Sequence, residues 1–121
     1  MSYQRAQRIA EEIKRELSDI MRNHVKDPRV TNMASVVKVD VSKDLRHAKI
    51  YVSVLGDKEE KRKTMEGLDR ATGFIRKELG QRLGLRYVPE ISFVLDESIE
   101  YSIRIAQKID ELMKKEQDVN Q

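Results

Sequence analysis

From residue 37 to 42 and again from 48 to 54 apolar and polar side chains alternate, while on either side of that stretch apolar residues recur with helical spacing. A chain whose period switches from 3.6 to 2 and back builds both helices and strands. One polar side per strand means a sheet covered on one face only. In the first helix, over residues 3–24, Ala6, Ile9, Ala10, Ile13, Leu17, Ile20 and Met21 fall within an arc of about 120°, a core-facing stripe. It should end before Asp27-Pro28, because the residue before proline disfavours helical geometry. Val37, Val39 and Val41 mark one strand; Ala48, Ile50, Val52 and Val54 mark the next. The polar link Ser42–His47 makes them a hairpin.

Gly56 closes the second strand, and Asp57-Lys58-Glu59-Glu60 reads as a capping box with Asp57 at N-cap and Glu60 at N3. A helix follows to about Arg70, with Met65 and Leu68 as its apolar contacts. Another, about 74–83, carries Phe74, Ile75, Leu79 and Leu83 and stops at Gly84. Ala71-Thr72-Gly73 lies between them, and periodicity leaves open one kinked helix or two. Gly73 costs about 1 kcal/mol against Ala in a helix, so it marks a kink or a close approach. Pro89 opens a third strand, Glu90–Leu95, and Asp96-Glu97-Ser98 offers caps for a last helix over 99–116. Ile99, Ile103, Ile105, Ala106, Ile109, Leu112 and Met113 span an arc near 200° on it, too wide for a coiled-coil seam and suited to packing on a core. The tail 116–121 should fray. The expected class is α+β, in α-β-β-α-α-β-α order, with residues 1–115 one domain.

Several function classes drop out. The chain has 121 residues and no Cys, which removes disulfides, thiolate metal sites and a Cys nucleophile. Its apolar runs are too short to cross a bilayer. The polar start, Met1–Arg8, carries no signal-peptide pattern, so a cytoplasmic location is expected. His24 and His47 have no partners at metal-site spacing, and no phosphate-loop or zinc-protease motif occurs. A non-enzymatic protein without metal, cofactor or small-molecule substrate is expected.

The net charge is +3, but residues 1–86 carry 20 basic against 13 acidic side chains, while residues 87–121 carry 4 against 8. The densest stretch, 70–86, holds Arg70, Arg76, Lys77, Arg82 and Arg86 against Glu78 alone. Such a run is a footprint for a polyanion such as RNA, or a solvated helix face. Arg5 and Arg8 extend the set from the first helix, unless Glu11 and Glu12 neutralise them; Lys43 and Arg46 add to it from the hairpin. Phe74 and Phe93 sit at apolar positions and are expected in the core, while Tyr51 and Tyr87 are either stacking platforms or rings packed on a basic stem.

The element order resembles a type II KH domain. Arg5 and Arg8 ahead of Ile9-Ala10-Glu11-Glu12-Ile13, the Asp27-Pro28-Arg29 corner, the Ala71-Thr72-Gly73 kink and the segment Leu85–Ser98 together resemble the ribosome-binding factor A family. The resemblance spans about residues 3–112. It implies a bacterial assembly factor, not an enzyme, that binds the free small (30S) ribosomal subunit late in maturation. It further implies support of 16S ribosomal RNA processing near the 5′-terminal helix and a role in cold growth. The Gly-x-x-Gly loop by which KH domains clamp a nucleic-acid backbone is replaced by Ala71-Thr72-Gly73, so docking on folded RNA is expected in place of reading four single-stranded bases. A monomer is expected. The alternative is a protein-interaction adaptor or homodimer acting through the amphipathic C-terminal helix.

Overall fold

The computed structural model describes residues 2–23 and 34–119. The Asp27-Pro28-Arg29 corner, His24 and residues 120–121 lie outside them. Its elements are α1 (Ser2–Asn23), β1 (Ala34–Val41), β2 (His47–Val54), α2 (Lys58–Arg70), α3 (Thr72–Leu83), β3 (Glu90–Leu95) and α4 (Ser98–Val119). The sheet order is β1-β2-β3, with β1 antiparallel and β3 parallel to β2. Parallel strands need a crossover, and α2 with α3 supplies it.

The inward row of β2, Ala48, Ile50, Val52 and Val54, is buried as its alternation requires. Ile13, Leu17, Ile20 and Met21 of α1, Leu68 of α2, and Ile75 and Leu79 of α3 close over it. Burial of each such side chain is worth about 1.5–3 kcal/mol, so this cluster holds the layers together. On the strands' other side Lys38, Asp40, Lys49 and Ser92 are exposed, so the sheet is covered on one face, in the KH-like arrangement the element order implies. No helix among the described residues is long and apolar enough to cross a membrane.

The inward row of β1 differs from the expected one. Val36 pairs with Val52 and Lys38 with Tyr51, so Val37 is the extra residue of a β-bulge. Val36, Val39 and Val41 therefore face the core, and strict alternation through Val37 misplaces one residue. Phe74, expected in the core, is 43% exposed. The buried pair of α3 is Ile75 and Leu79, one turn apart, and Phe74 lies about 100° off that line. Phe93 does pack against the core.

The junction between α2 and α3 is close to continuous. Ala71 is in αR geometry, its N–H donates to Gly67 O at 3.0 Å, and Ile75 N–H donates to Ala71 O at 2.9 Å. Gly73 has open space around the position of a Cβ, so it makes no close approach within the fold. Gly73→Ala is accordingly expected to stabilise the protein by about 0.5–1 kcal/mol in urea unfolding. A loss of stability would contradict this reading. Gly84 caps α3 in the left-handed region at φ 61, as expected of a C-terminal glycine.

The last helix departs most from expectation. It runs to Val119, past the expected fraying point, and every residue from Tyr101 to Gln117 is exposed. Its apolar side chains do not pack on the core, because α1, α2 and α3 already fill the one covered face of a three-stranded sheet. Only its entry is tied down. Lys61 of α2, 9% exposed, donates to Glu100 Oε2 at 2.6 Å and lies 3.7 Å from Glu97. The Glu100 hydrogen bond, ahead of the nearby negative charges, raises the Lys61 pKa.

Candidate nucleic-acid interface

The expected basic residues separate into three kinds of environment. Two are engaged inside the fold. Arg76 is half-buried on α3, and its guanidinium donates from Nη2 to Val88 O at 2.9 Å and from Nε to Pro89 O at 3.1 Å. It straps the α3–β3 loop to the helix. Arg82 reaches across to α1, with Nη1 2.6 Å from Asp19 Oδ2 and 3.2 Å from Glu16 Oε2, and Nε 3.6 Å from Glu78. The Asp19 bond foremost raises its pKa. Its field is largely cancelled by these carboxylates.

A second group stands in solvent. Arg70 at the end of α2 and Lys77 on α3 are exposed, and neither makes an ion pair or side-chain hydrogen bond among the described residues. Beside them Thr72 Oγ1 donates to Leu68 O at 3.1 Å, Ala71 packs half-buried against the core, and Gly73 is exposed. Arg8 lies 4.0 Å from Glu12 along α1, the i, i+4 pairing that was the alternative to an RNA role. Lys43 borders a separate groove between α1 and β1.

The third group was scattered in sequence and is gathered in space. Arg5 from α1, Arg46 from the hairpin and Arg86 from the α3–β3 loop border one open groove of about 930 Å³. Ile9, Leu45, Val88 and Pro89 line it with apolar surface. All three arginines are exposed, and none has a carboxylate within ion-pair distance among the described residues. Two carboxylates share the groove, each held by a neighbour that also lines it. Asp44 Oδ1 accepts from Ser42 Oγ at 2.6 Å and from Arg46 N–H at 3.1 Å. Glu90 lies 3.6 Å from His47 Nδ1, across the β2–β3 register.

The hairpin is held by those same groups. Leu45 has φ 62, unusual for a residue with a Cβ. Leu45 N–H donating to Ser42 O at 2.9 Å and the Asp44 bonds oppose that local cost. The Ser42 hydroxyl, then the Arg46 N–H, lower the Asp44 pKa from its ordinary 3.8. A depressed carboxylate contributes its stability fully above the ordinary value and loses it as pH falls through the lower folded one. The protection factors of Leu45 and Arg46, exchange corrected for its intrinsic pH dependence, should therefore fall below pH 3.8 before those of the core amides. Asp44→Asn should show fast exchange already at neutral pH. Equal protection in the variant would refute this role.

Two aromatic positions each carry a basic group over the ring and differ in exposure. Tyr51 is half-buried with the Lys38 ammonium 5.6 Å from its ring centroid, a ring packed on a basic stem. Tyr87 at the groove rim is 80% exposed, with only the Arg86 guanidinium over it at 5.8 Å. In the sequence, the loop position of Tyr87 beside Arg86 is the one signal for its exposure. Among the described residues no group of three His or carboxylates is arranged to hold a metal ion. The arrangement suits binding of phosphates by shape and charge, with one aromatic face in reach.

A family model described as ribosome-binding factor A matches residues 5–109. A ribosome-binding factor A from Acetivibrio thermocellus is 56% identical over 108 residues, covering 89% of this chain and 88% of its own. One from Caldanaerobacter subterraneus is 50% identical over 116 residues, covering 96% and 95%. Among solved structures, a candidate ribosome binding factor A of Thermotoga maritima aligns with a TM-score of 0.67 at 37% identity, covering 74% of this chain and 85% of that one. The Thermus thermophilus factor, as fitted into a cryo-EM map of a 30S complex, aligns with a TM-score of 0.61 at 25% identity, over 73% and 91%.

Proposed function

The chain belongs to the ribosome-binding factor A family, and on that footing we propose that it binds the free small ribosomal subunit through 16S ribosomal RNA. The convergence of Arg5, Arg46 and Arg86 on one groove carries this reading. Three exposed arginines on one groove outnumber its two carboxylates, and a phosphate backbone bound there releases its counterions. The likeness to a Thermus thermophilus factor whose homology model was fitted into the cryo-EM map of a 30S complex supports the same partner. Arg70 and Lys77, on either side of the exposed Gly73, are proposed as a further contact.

The proposed role is non-enzymatic and cytoplasmic. Residues 1–115 act as one binding domain of a monomer that holds RNA in a conformation late in subunit maturation. By this reading it supports processing of 16S ribosomal RNA near the 5′-terminal helix, with a greater demand for it in the cold. Sedimentation of the protein with purified small and large subunits, over a range of salt, tests the central part. Comigration with small subunits alone, weakening steeply with salt, is expected; failure to comigrate, or equal binding to large subunits, refutes it.

A second reading has its own observation. Ile99, Ile103, Ile109, Leu112 and Met113 of α4 are each more than half exposed, as in a helix that meets another protein or a second copy. Sedimentation equilibrium of the protein alone separates the readings. A tight dimer that never comigrates with subunits would favour the adaptor.

A further inference from the structure

We propose that the groove between α1, the hairpin and the α3–β3 loop takes one unpaired nucleotide, its base on the Tyr87 ring and its phosphate among Arg5, Arg46 and Arg86. This rests on the RNA-binding reading above and names what the groove holds. The first observation is the ring itself. Tyr87 is 80% exposed, yet the backbone that follows it is held at three successive residues. Arg76 donates to the carbonyls of Val88 and Pro89, and Glu90 N–H donates to Arg46 O at 2.8 Å. Gly80 of α3 lies so close that a Cβ there would meet Val88 Cγ2 at 2.8 Å. An aromatic ring displayed on a fixed loop is a platform whose ordering cost is met before any ligand arrives.

The second observation is the charge around it. The Arg86 guanidinium lies over one side of the ring, which leaves other ring surface to solvent. Arg5 and Arg46 line the same groove as Tyr87, from other elements. A duplex offers no free base face, so the ring would stay unused against one. An acidic peptide would meet the arginines without needing a stacked ring. An extruded nucleotide uses both features, and base–aromatic stacking tolerates any base.

The test uses the full chain and three probes: fluorescein-labelled heptauridylate, an abasic phosphodiester of the same length, and heptaglutamate. The base-bearing strand should bind about tenfold tighter than the abasic one. Tyr87→Ala should erase that difference and leave abasic binding unchanged, while Tyr87→Phe keeps it. Equal binding of the two strands to the unaltered protein, an unchanged preference in Tyr87→Ala, or displacement by heptaglutamate as effective as by RNA would each overturn the proposal. Sedimentation with small subunits, run in parallel, keeps the two readings apart. Comigration without a base preference removes the nucleotide alone; absence of comigration removes the RNA reading beneath it.

Discussion

Replacing Arg5, Arg46 and Arg86 together by alanine should weaken binding to small subunits about a hundredfold near 0.15 M salt and flatten the salt dependence by about 2–3 units. Each phosphate contact contributes about 0.7–0.9 to the slope of log affinity against log salt. Three contacts give a slope near 2.4, which from molar salt down to about 0.15 M amounts to roughly two decades in affinity. The three side chains are exposed and make no ion pair among the described residues, so their removal should leave urea unfolding nearly unchanged. Lys43→Ala is the matched control, because Lys43 borders a different groove. A triple variant with the native slope would mean that the groove does not meet RNA.

Arg76→Ala should act on the fold. Its guanidinium satisfies the carbonyls of Val88 and Pro89, and Pro89 is buried. Hydrogen bonds from a charged group are worth about 1.5–3 kcal/mol each, and carbonyls left unpaired add to the cost. A loss of about 2–3 kcal/mol in urea unfolding is expected, with the α3–β3 loop losing amide protection first. Arg76→Lys should recover only part of this, since an ammonium lacks the planar fork that spans two acceptors. The salt slope of subunit binding, measured where the variant is folded, should not change. Native stability with a flattened slope would make Arg76 an RNA contact and remove its role as a strap.

These two results would separate residues that sequence alone placed in one run. Over 70–86 five basic side chains stood against one acidic, and a linear count treats them alike. Folding spends Arg76 on two carbonyls and Arg82 on two acids of α1, partners that lie 12 or more residues away. No spacing rule reaches that far. The groove was hidden for the same reason: Arg5, Arg46 and Arg86 lie 40 or more residues apart in the chain and meet only through the layering of α1, the hairpin and the α3–β3 loop.

The fold was far more legible, because period and punctuation are local. The β2 row, the Asp57 cap accepting from Glu60 N–H at 2.8 Å, and the Gly84 stop each follow from neighbours within a few residues. Misplacement came where local pattern met a global limit. Val37 repeats its neighbours' type across a bulge that only pairing with β2 reveals. Phe74 is apolar but lies off the line of Ile75 and Leu79. The α4 row has the breadth of a core helix, yet a three-stranded sheet offers one covered face and three helices already fill it. Lys61 and Thr64 are buried on α2 where an apolar stripe would be sought; Lys61 answers to Glu100, and Thr64 Oγ1 donates to Glu60 O at 2.8 Å.

Crosslinking the protein to free small subunits and mapping both ends of each crosslink tests the central claim most directly. Crosslinks from Arg46, Arg86 and Tyr87 of the groove, joined by Lys77, to 16S ribosomal RNA are the expected result. Crosslinks confined to ribosomal proteins and arising from the apolar side of α4 would contradict it.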